Sequence, residues 1–310
     1  MCRAQPLPGP VRFWSDQAYK YWKKLYQKHR NDRCVRTLHH GWIDPVWPKI
    51  FALLMCVSAM AGPAHAGSRA AQNALLPVKD VRAFSDKVQM VLAQKGAHVA
   101  IVARMGRDPR TMPKGITYTH VAFWVFSQVT YEDGRSGTGY RVYNLYQDSD
   151  RSSRSALVQD SPADFFAGAQ RLDAGVIVPD KRLQEKLLSV IASPVYAALH
   201  NRRYSVLSNP LTSQFQNCTE HLLDVLMASL YGTSDTGQIK ANIAAHFVPS
   251  VIDVSAEKRA LAPLLSQGYT TRDHGSVVAT ATFGSIAGFM KTHRLARQVL
   301  RVTPRKVSRF

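Results

Sequence analysis

Past residue 66 the chain keeps a single cysteine, Cys218; Cys2, Cys34 and Cys56 all precede it. One thiol cannot form an internal disulfide, so a cystine-stapled scaffold is excluded for that part of the chain. Metal-ligand spacing is missing as well. There is no HExxH and no paired Cys/His arrangement, and Glu220-His221, His246 and Asp273-His274 are scattered, so no metal is expected. The absence of a Gly-x-Ser-x-Gly elbow argues against a serine hydrolase of the α/β type. The absence of a Walker loop or GxGxxG turn removes the usual phosphate cradles, and no cofactor is expected. No internal repeat, heptad or low-complexity tract occurs. Acid is scarce: 21 Asp+Glu stand against 40 Lys+Arg, for a net charge of +19.

The one long apolar run lies early. Lys49 is followed by Ile50-Phe51-Ala52-Leu53-Leu54-Met55-Cys56-Val57-Ser58-Ala59-Met60-Ala61-Gly62 and then Pro63-Ala64-His65-Ala66-Gly67. A positive charge, about a dozen apolar residues and a small-x-small site read as a secretory signal peptide, cleaved after Ala66; the run is too short for a membrane span. Met55 stands where a lipoprotein signal ahead of Cys56 would want a small residue. Residues 1–48, basic and aromatic, read as a leader outside the translated or folded protein, 49–66 as the signal, and 67–310 as a single domain in the periplasm or secreted. Without residues 1–66 the chain keeps 30 Lys+Arg and 18 Asp+Glu, a net charge of +12. Lys291, Arg294, Arg297, Arg301, Arg305, Lys306 and Arg309 occur with no acid between them. They read as a solvated basic tail, or as a surface for anionic membrane lipid or cell-wall polymer. Nucleic acid is not expected as a partner of an exported chain with no binding motif.

Local patterns predict mixed elements. Residues 80–94 carry an apolar face at Val81, Phe84, Val88, Val91 and Leu92, ended by Gly96, and read as a helix. Residues 97–104, 117–128 and 140–147 read as strands, the last two as an antiparallel hairpin across the turn-rich 134–139. Ser161-Pro162-Ala163-Asp164 begins a short helix, and Asp180 opens another through Ile191. Residues 204–207 read as a short strand, 235–246 and 256–265 as helices, 277–283 as a strand and 285–293 as a last helix. Neighbouring strands beside separate helices give an α+β class.

The chemistry concentrates around Cys218. A polar loop, Ser208 to Asn217, runs into it, and a helical apolar pattern begins there. A thiol in the first turn of a helix meets unpaired N–H groups and the positive end of the dipole, so its pKa is expected below the roughly 8.5 of a free thiol. A buried cysteine acting as a small hydrophobe is the competing reading. A catalytic thiol needs a base, usually histidine. His120 stands inside the apolar strand Tyr118 to Val125, where a polar ring points at a core or a site. His221, three residues past Cys218, is the local competitor, but sits beside the thiol on one helix rather than across from it.

Thr119-His120-Val121 on a strand, followed much later by Asn217-Cys218 opening a helix, resembles the circularly permuted papain-like thiol hydrolases. These include lecithin retinol acyltransferase and the NlpC-type bacterial proteins, in which the histidine precedes the cysteine. The resemblance implies a permuted papain-like fold, an antiparallel sheet packed against the cysteine helix. It also implies a thiol hydrolase cutting an amide or ester, with Cys218 as nucleophile and His120 as base. A polar orienter is then expected on the next strand, for which Asn144 is the candidate. Oxyanion donors would be the Cys218 N–H and Gln214 or Gln216 in the loop that ends at Asn217. Thr219 departs from the acyltransferase pattern, in which Glu and His directly follow the cysteine. Cell-wall peptide or acylated envelope lipid is the implied substrate; a non-catalytic envelope-binding module on a degenerate hydrolase fold is the alternative. More closely, the chain resembles the bacterial family called domain of unknown function 2145. The matching stretches are Tyr118-Thr119-His120-Val121, Tyr143-Asn144-Leu145-Tyr146-Gln147, Ser208-Asn209-Pro210-Leu211-Thr212, Gln216-Asn217-Cys218-Thr219-Glu220 and Ala281-Thr282-Phe283.

Overall fold

The computed structural model describes residues 70–71, 74–130 and 136–310. The leader, the signal peptide and the cleavage site at Ala66 lie outside them.

Seven strands form one antiparallel sheet in the order β4-β3-β2-β1-β5-β8-β9. They are β1 (Val99–Met105), β2 (His120–Thr130), β3 (Ser136–Gln147), β4 (Ser155–Asp160), β5 (Arg171–Pro179), β8 (Ala296–Val302) and β9 (Val307–Arg309). A two-stranded ribbon, β6 (Ser250–Val251) with β7 (Ala279–Thr280), stands apart. The α+β class and the antiparallel sheet are therefore as expected.

Strand β1 is central, and all seven of its side chains are buried. A strand buried on both faces carries an unbroken apolar run, here Val-Ala-Ile-Val-Ala followed by Arg104 and Met105. The two faces are covered by different helices. On one, α1 (Val78–Gln94) and α2 (Pro162–Ala167) bring Phe84, Val88, Leu92, Phe165 and Phe166 onto Ala100, Val102, Ala122 and Trp124. On the other, α3 (Lys181–Ile191), α4 (Pro194–Ala198), α5 (Cys218–Tyr231), α6 (Thr236–His246) and α8 (Phe283–Thr292) cover Ile101, Ala103, Val121 and Phe123. Helix α7 (Ala256–Leu265) completes the chain's helices among the described residues. Helix α5 is buried from Cys218 through Ser229. It is buried nearly all round because α3 and α6 flank it while β2 and β3 lie beneath it.

Two expectations are corrected. Residues 296–302 and 307–309 are not a solvated tail but strands β8 and β9, paired to β5 and to each other. The seven cations do remain exposed, while in β8 Leu300 and Val302 pack on one face of the sheet and Val299 on the other. Residues 204–207 and 277–283 form less strand than expected: an isolated bridge at Tyr204, and two residues of β7 before Thr282 caps α8.

Candidate active site

Helix α5 begins where it does because of Asn217. Its side-chain Oδ1 accepts from Glu220 N at 2.9 Å and from Thr219 Oγ1 at 2.7 Å, while its Nδ2 donates to Val206 O at 2.9 Å. The cap satisfies an end-of-helix N–H and ties the incoming loop to the preceding segment. Gln216 fixes the same loop from the other side. Its Nε2 donates to Leu199 O and Asp224 Oδ2 at 2.9 and 2.8 Å, and its Oε1 accepts from Asn201 N at 2.9 Å. Cys218 is thus held at the first turn of a helix whose start is bonded from both sides.

The thiol is not where composition alone would put a reactive one. Cys218 is only 5% exposed. Burial pushes its pKa up to about 11, against the pull of the Val121, Thr219 and Cys218 backbone N–H groups and the Arg104 guanidinium. The expected depression is therefore reversed: the helix N-terminus acts in the predicted direction, but desolvation is larger.

The influence of the Val121 N–H on the thiol puts the sulfur near β2. Strand β2 pairs with β3 from Thr130↔Ser136 to Phe123↔Tyr143, so His120 to Ala122 lie past the end of that pairing. The Val121 N–H acts on the thiol, and α5 contacts both β2 and β3, so the start of the helix lies near this end of β2. The histidine ring itself lies on the sheet face covered by α1 and α2. It stacks on Tyr146, with centroids 4.8 Å apart and planes at 15°, and lies 5.5 Å from the ring of Phe165. Cys218 and the rest of α5 belong to the apolar cluster on the opposite face.

Around that ring the structure gathers a buried polar group. His120 Nε2 is 2.9 Å from Asn144 Oδ1, and Asn144 Nδ2 donates to Asp160 Oδ2 at 3.0 Å. The Tyr146 hydroxyl donates to the same carboxylate oxygen at 2.7 Å. Arg104, opposite His120 in the β1–β2 register, is fully buried. Its guanidinium lies 5.2 Å from the Phe165 ring centre and 5.8 Å from that of Tyr146, and donates to Phe165 O. Gly168, just after α2, makes room for it: a Cβ there would run into the guanidinium. Burial, with Arg104 adding to it, holds the His120 imidazole well below its ordinary pKa. Burial also raises the Asp160 carboxyl to about 6. His120 Nδ1 is buried with no hydrogen-bond partner among the described residues.

The remaining candidates fall elsewhere. Gln216 has both amide hydrogens committed, so it offers no donor to an oxyanion, and Asn217 is spent on the cap. Gln214 lies exposed in the loop. His221 turns toward α4, its ring 4.9 Å from that of Tyr196 and 6.1 Å from that of His200, and burial lowers its pKa to about 3. Glu220 and Asp224 point to Lys240 of α6, at 2.7 and 2.8 Å, forming a buried ion cluster. Among the described residues no group of three or more His, Cys, Asp or Glu is placed to hold a metal ion.

Three members of the site escaped the sequence reading. Asp160 ends β4, whose Ser-Ala-Leu-Val-Gln-Asp run has too little apolar alternation to read as a strand. Tyr146 passed as an ordinary strand aromatic. Arg104 was visible only as the basic end of a strand; no local signal says that an arginine there is fully buried.

No curated protein and no solved structure matches the chain. The model of a family described as "Uncharacterized protein conserved in bacteria" (domain of unknown function 2145) matches residues 91–290, from the last turn of α1 through most of α8, and so takes in Arg104, His120, Asn144, Asp160 and Cys218. The chain belongs to that bacterial family.

Proposed function

We propose that this protein is an exported thiol hydrolase on a circularly permuted papain-like scaffold, cleaving an amide or ester bond of a cell-envelope peptide or acylated lipid. The observation that carries the reading is the His120 ring. One nitrogen is tied to Asn144 at 2.9 Å while the other is buried and unpartnered among the described residues, and the next residue of the strand, Val121, acts on the Cys218 thiol.

With the thiol raised to about 11 and the imidazole held low, the resting pair is a neutral thiol and a neutral imidazole. Attack is therefore coupled to proton transfer rather than preceded by it. The Cys218 sulfur forms a bond to the carbonyl carbon as its proton passes to His120 Nδ1, and the carbonyl electron pair moves onto oxygen. First-turn N–H groups of α5, the Cys218 N–H foremost, stabilise that oxygen. The intermediate then expels the amine or alcohol, which takes the proton from Nδ1 and leaves an acyl-cysteine. Water, deprotonated by the same nitrogen, hydrolyses the thioester and returns the thiol. Arg104 favours this cycle by keeping His120 free of a proton at neutral pH and by stabilising negative charge at the sulfur. The exposed cations of β8, β9 and α8 give the protein a surface for anionic envelope polymer or lipid.

The closed state of the thiol favours one other reading, a binding module on the same scaffold that performs no chemistry. Mass spectrometry of the protein after mixing with p-nitrophenyl acyl esters, and with peptide fragments of bacterial cell wall, separates the two. An acyl adduct on Cys218 that turns over, and is lost in Cys218→Ala and His120→Ala, is expected of the hydrolase. No adduct and no turnover with either substrate class overturns it.

A further inference from the structure

The hydrogen-bond chain that ends at Asp160 has a directional consequence. An asparagine side chain presents an oxygen on one side and an NH2 on the other, and exchanging them reverses what it offers to each neighbour. In this site one neighbour is a carboxylate and the other an imidazole nitrogen that accepts or donates according to its tautomer. The carboxylate is therefore the member that decides. Asp160 Oδ2 already accepts the Tyr146 hydroxyl at 2.7 Å. Facing Asn144 at 3.0 Å, an ionised carboxylate takes the NH2 side and rejects the oxygen. That sends Asn144 Oδ1 toward His120, where at 2.9 Å it accepts from Nε2. A neutral imidazole carries one proton, so a hydrogen on Nε2 leaves Nδ1 with its lone pair bare.

We infer that Asp160 is a positioning residue that selects the tautomer of His120: through Asn144 it places the proton on Nε2 and keeps Nδ1 as the acceptor. The inference rests on the reading of His120 as the base of a thiol hydrolase for its functional meaning, but not for its geometry. The carboxylate is held in place for the role. It is the last residue of β4 and is paired in register with Val142. Its neighbour Ser161 opens α2 by accepting from Asp164 N at 3.2 Å. Stacking of Tyr146 on the His120 ring at 4.8 Å keeps the imidazole in the plane that the Asn144 bond requires. Without Asp160 the Asn144 amide has no reason to prefer one orientation. A flipped amide would donate to Nε2, move the proton to Nδ1, and leave nothing to accept the thiol hydrogen. The same logic holds when an imidazole is oriented by a carboxylate directly, where a wrong tautomer costs about four orders of magnitude in turnover.

The test reads the tautomer itself, by nitrogen NMR of protein labelled with 15N-histidine, at pH 7.5, above the Asp160 titration. In the wild type, His120 should show a protonated Nε2 and an unprotonated Nδ1. A proton on Nδ1 there overturns the inference whatever any variant does. Asp160→Ala should shift the signals toward an Nδ1 proton or an average of the two forms, whereas Asp160→Asn, which still offers a carbonyl oxygen, should retain the wild-type pattern. Adding Asn144→Asp to Asp160→Ala should restore the Nε2 proton, because a carboxylate next to His120 needs no orienting. A merely structural Asp160 would leave the tautomer unchanged in Asp160→Ala, and that result refutes the assignment. Because the readout is independent of turnover, a correct tautomer with no acyl adduct on Cys218 would sink the hydrolase and leave the orienting role standing.

Discussion

The sharpest consequence of the site is the pH dependence of alkylation at Cys218. The gap between the ordinary thiol value and about 11 corresponds to roughly 3 kcal/mol at 1.36 kcal/mol per pH unit. A helix N-terminus returns only ~0.3–1 kcal/mol, so desolvation decides the sign. Relative to a free thiol near 8.5, a value of about 11 leaves about 300-fold less thiolate at pH 7. Iodoacetamide labelling followed by mass spectrometry should therefore be slower than that of a free cysteine by at least that factor. The rate should climb about tenfold per pH unit from 7 to 10 without levelling off. Arg104→Gln should slow it further, since it removes a cation that stabilises the thiolate. His120→Ala should alter the resting profile little, because a neutral ring has no charge to lend. A rate that plateaus at or below pH 8.5 would refute the reasoning, by showing that the N–H groups at the helix start outweigh burial.

Four further outcomes follow from the contacts around the site. Since the folded Cys218 pKa lies above the unfolded one, its contribution to stability is present below about pH 8.5 and fades as pH rises toward 11. Urea titrations should show Cys218→Ala losing less stability than wild type across that window. Asn217→Ala removes the α5 cap and should cost about 1–2 kcal/mol, read as a fall of several degrees in Tm. Lys240→Met leaves Glu220 and Asp224 buried without their cation and should cost about 3–5 kcal/mol, with Glu220→Gln and Asp224→Asn added together recovering much of it. Gly168→Ala should displace Arg104 and raise the His120 pKa, visible as a shift of its ring-proton titration, whereas Gly237→Ala, away from the site, should leave it unchanged.

Much of the local architecture is written in short stretches of residues. Caps and apolar periodicity place α1, α3, α6 and the start of α5, since Asp180, Asp235 and Asn217 each accept from an N–H three residues on. Strands β1 to β3 announce themselves by their β-branched and aromatic runs. That Asn144 bonds the His120 ring was anticipated only by the resemblance to the permuted thiol hydrolases, which expects a polar residue on the strand after the histidine. What local pattern could not supply is partnership across the sheet. Strands β8 and β9 carry so many cations that they read as tail, and only the pairing of β8 with β5, and of β9 with β8, makes them part of the sheet. Asp160 became part of the site because β4 lies beside β3, not because of its own neighbours in sequence. The sign of the thiol pKa was the last thing to be decided. Position at a helix start is a property of sequence, but desolvation depends on everything packed around the sulfur, and that exists only once the strands and helices have closed over it.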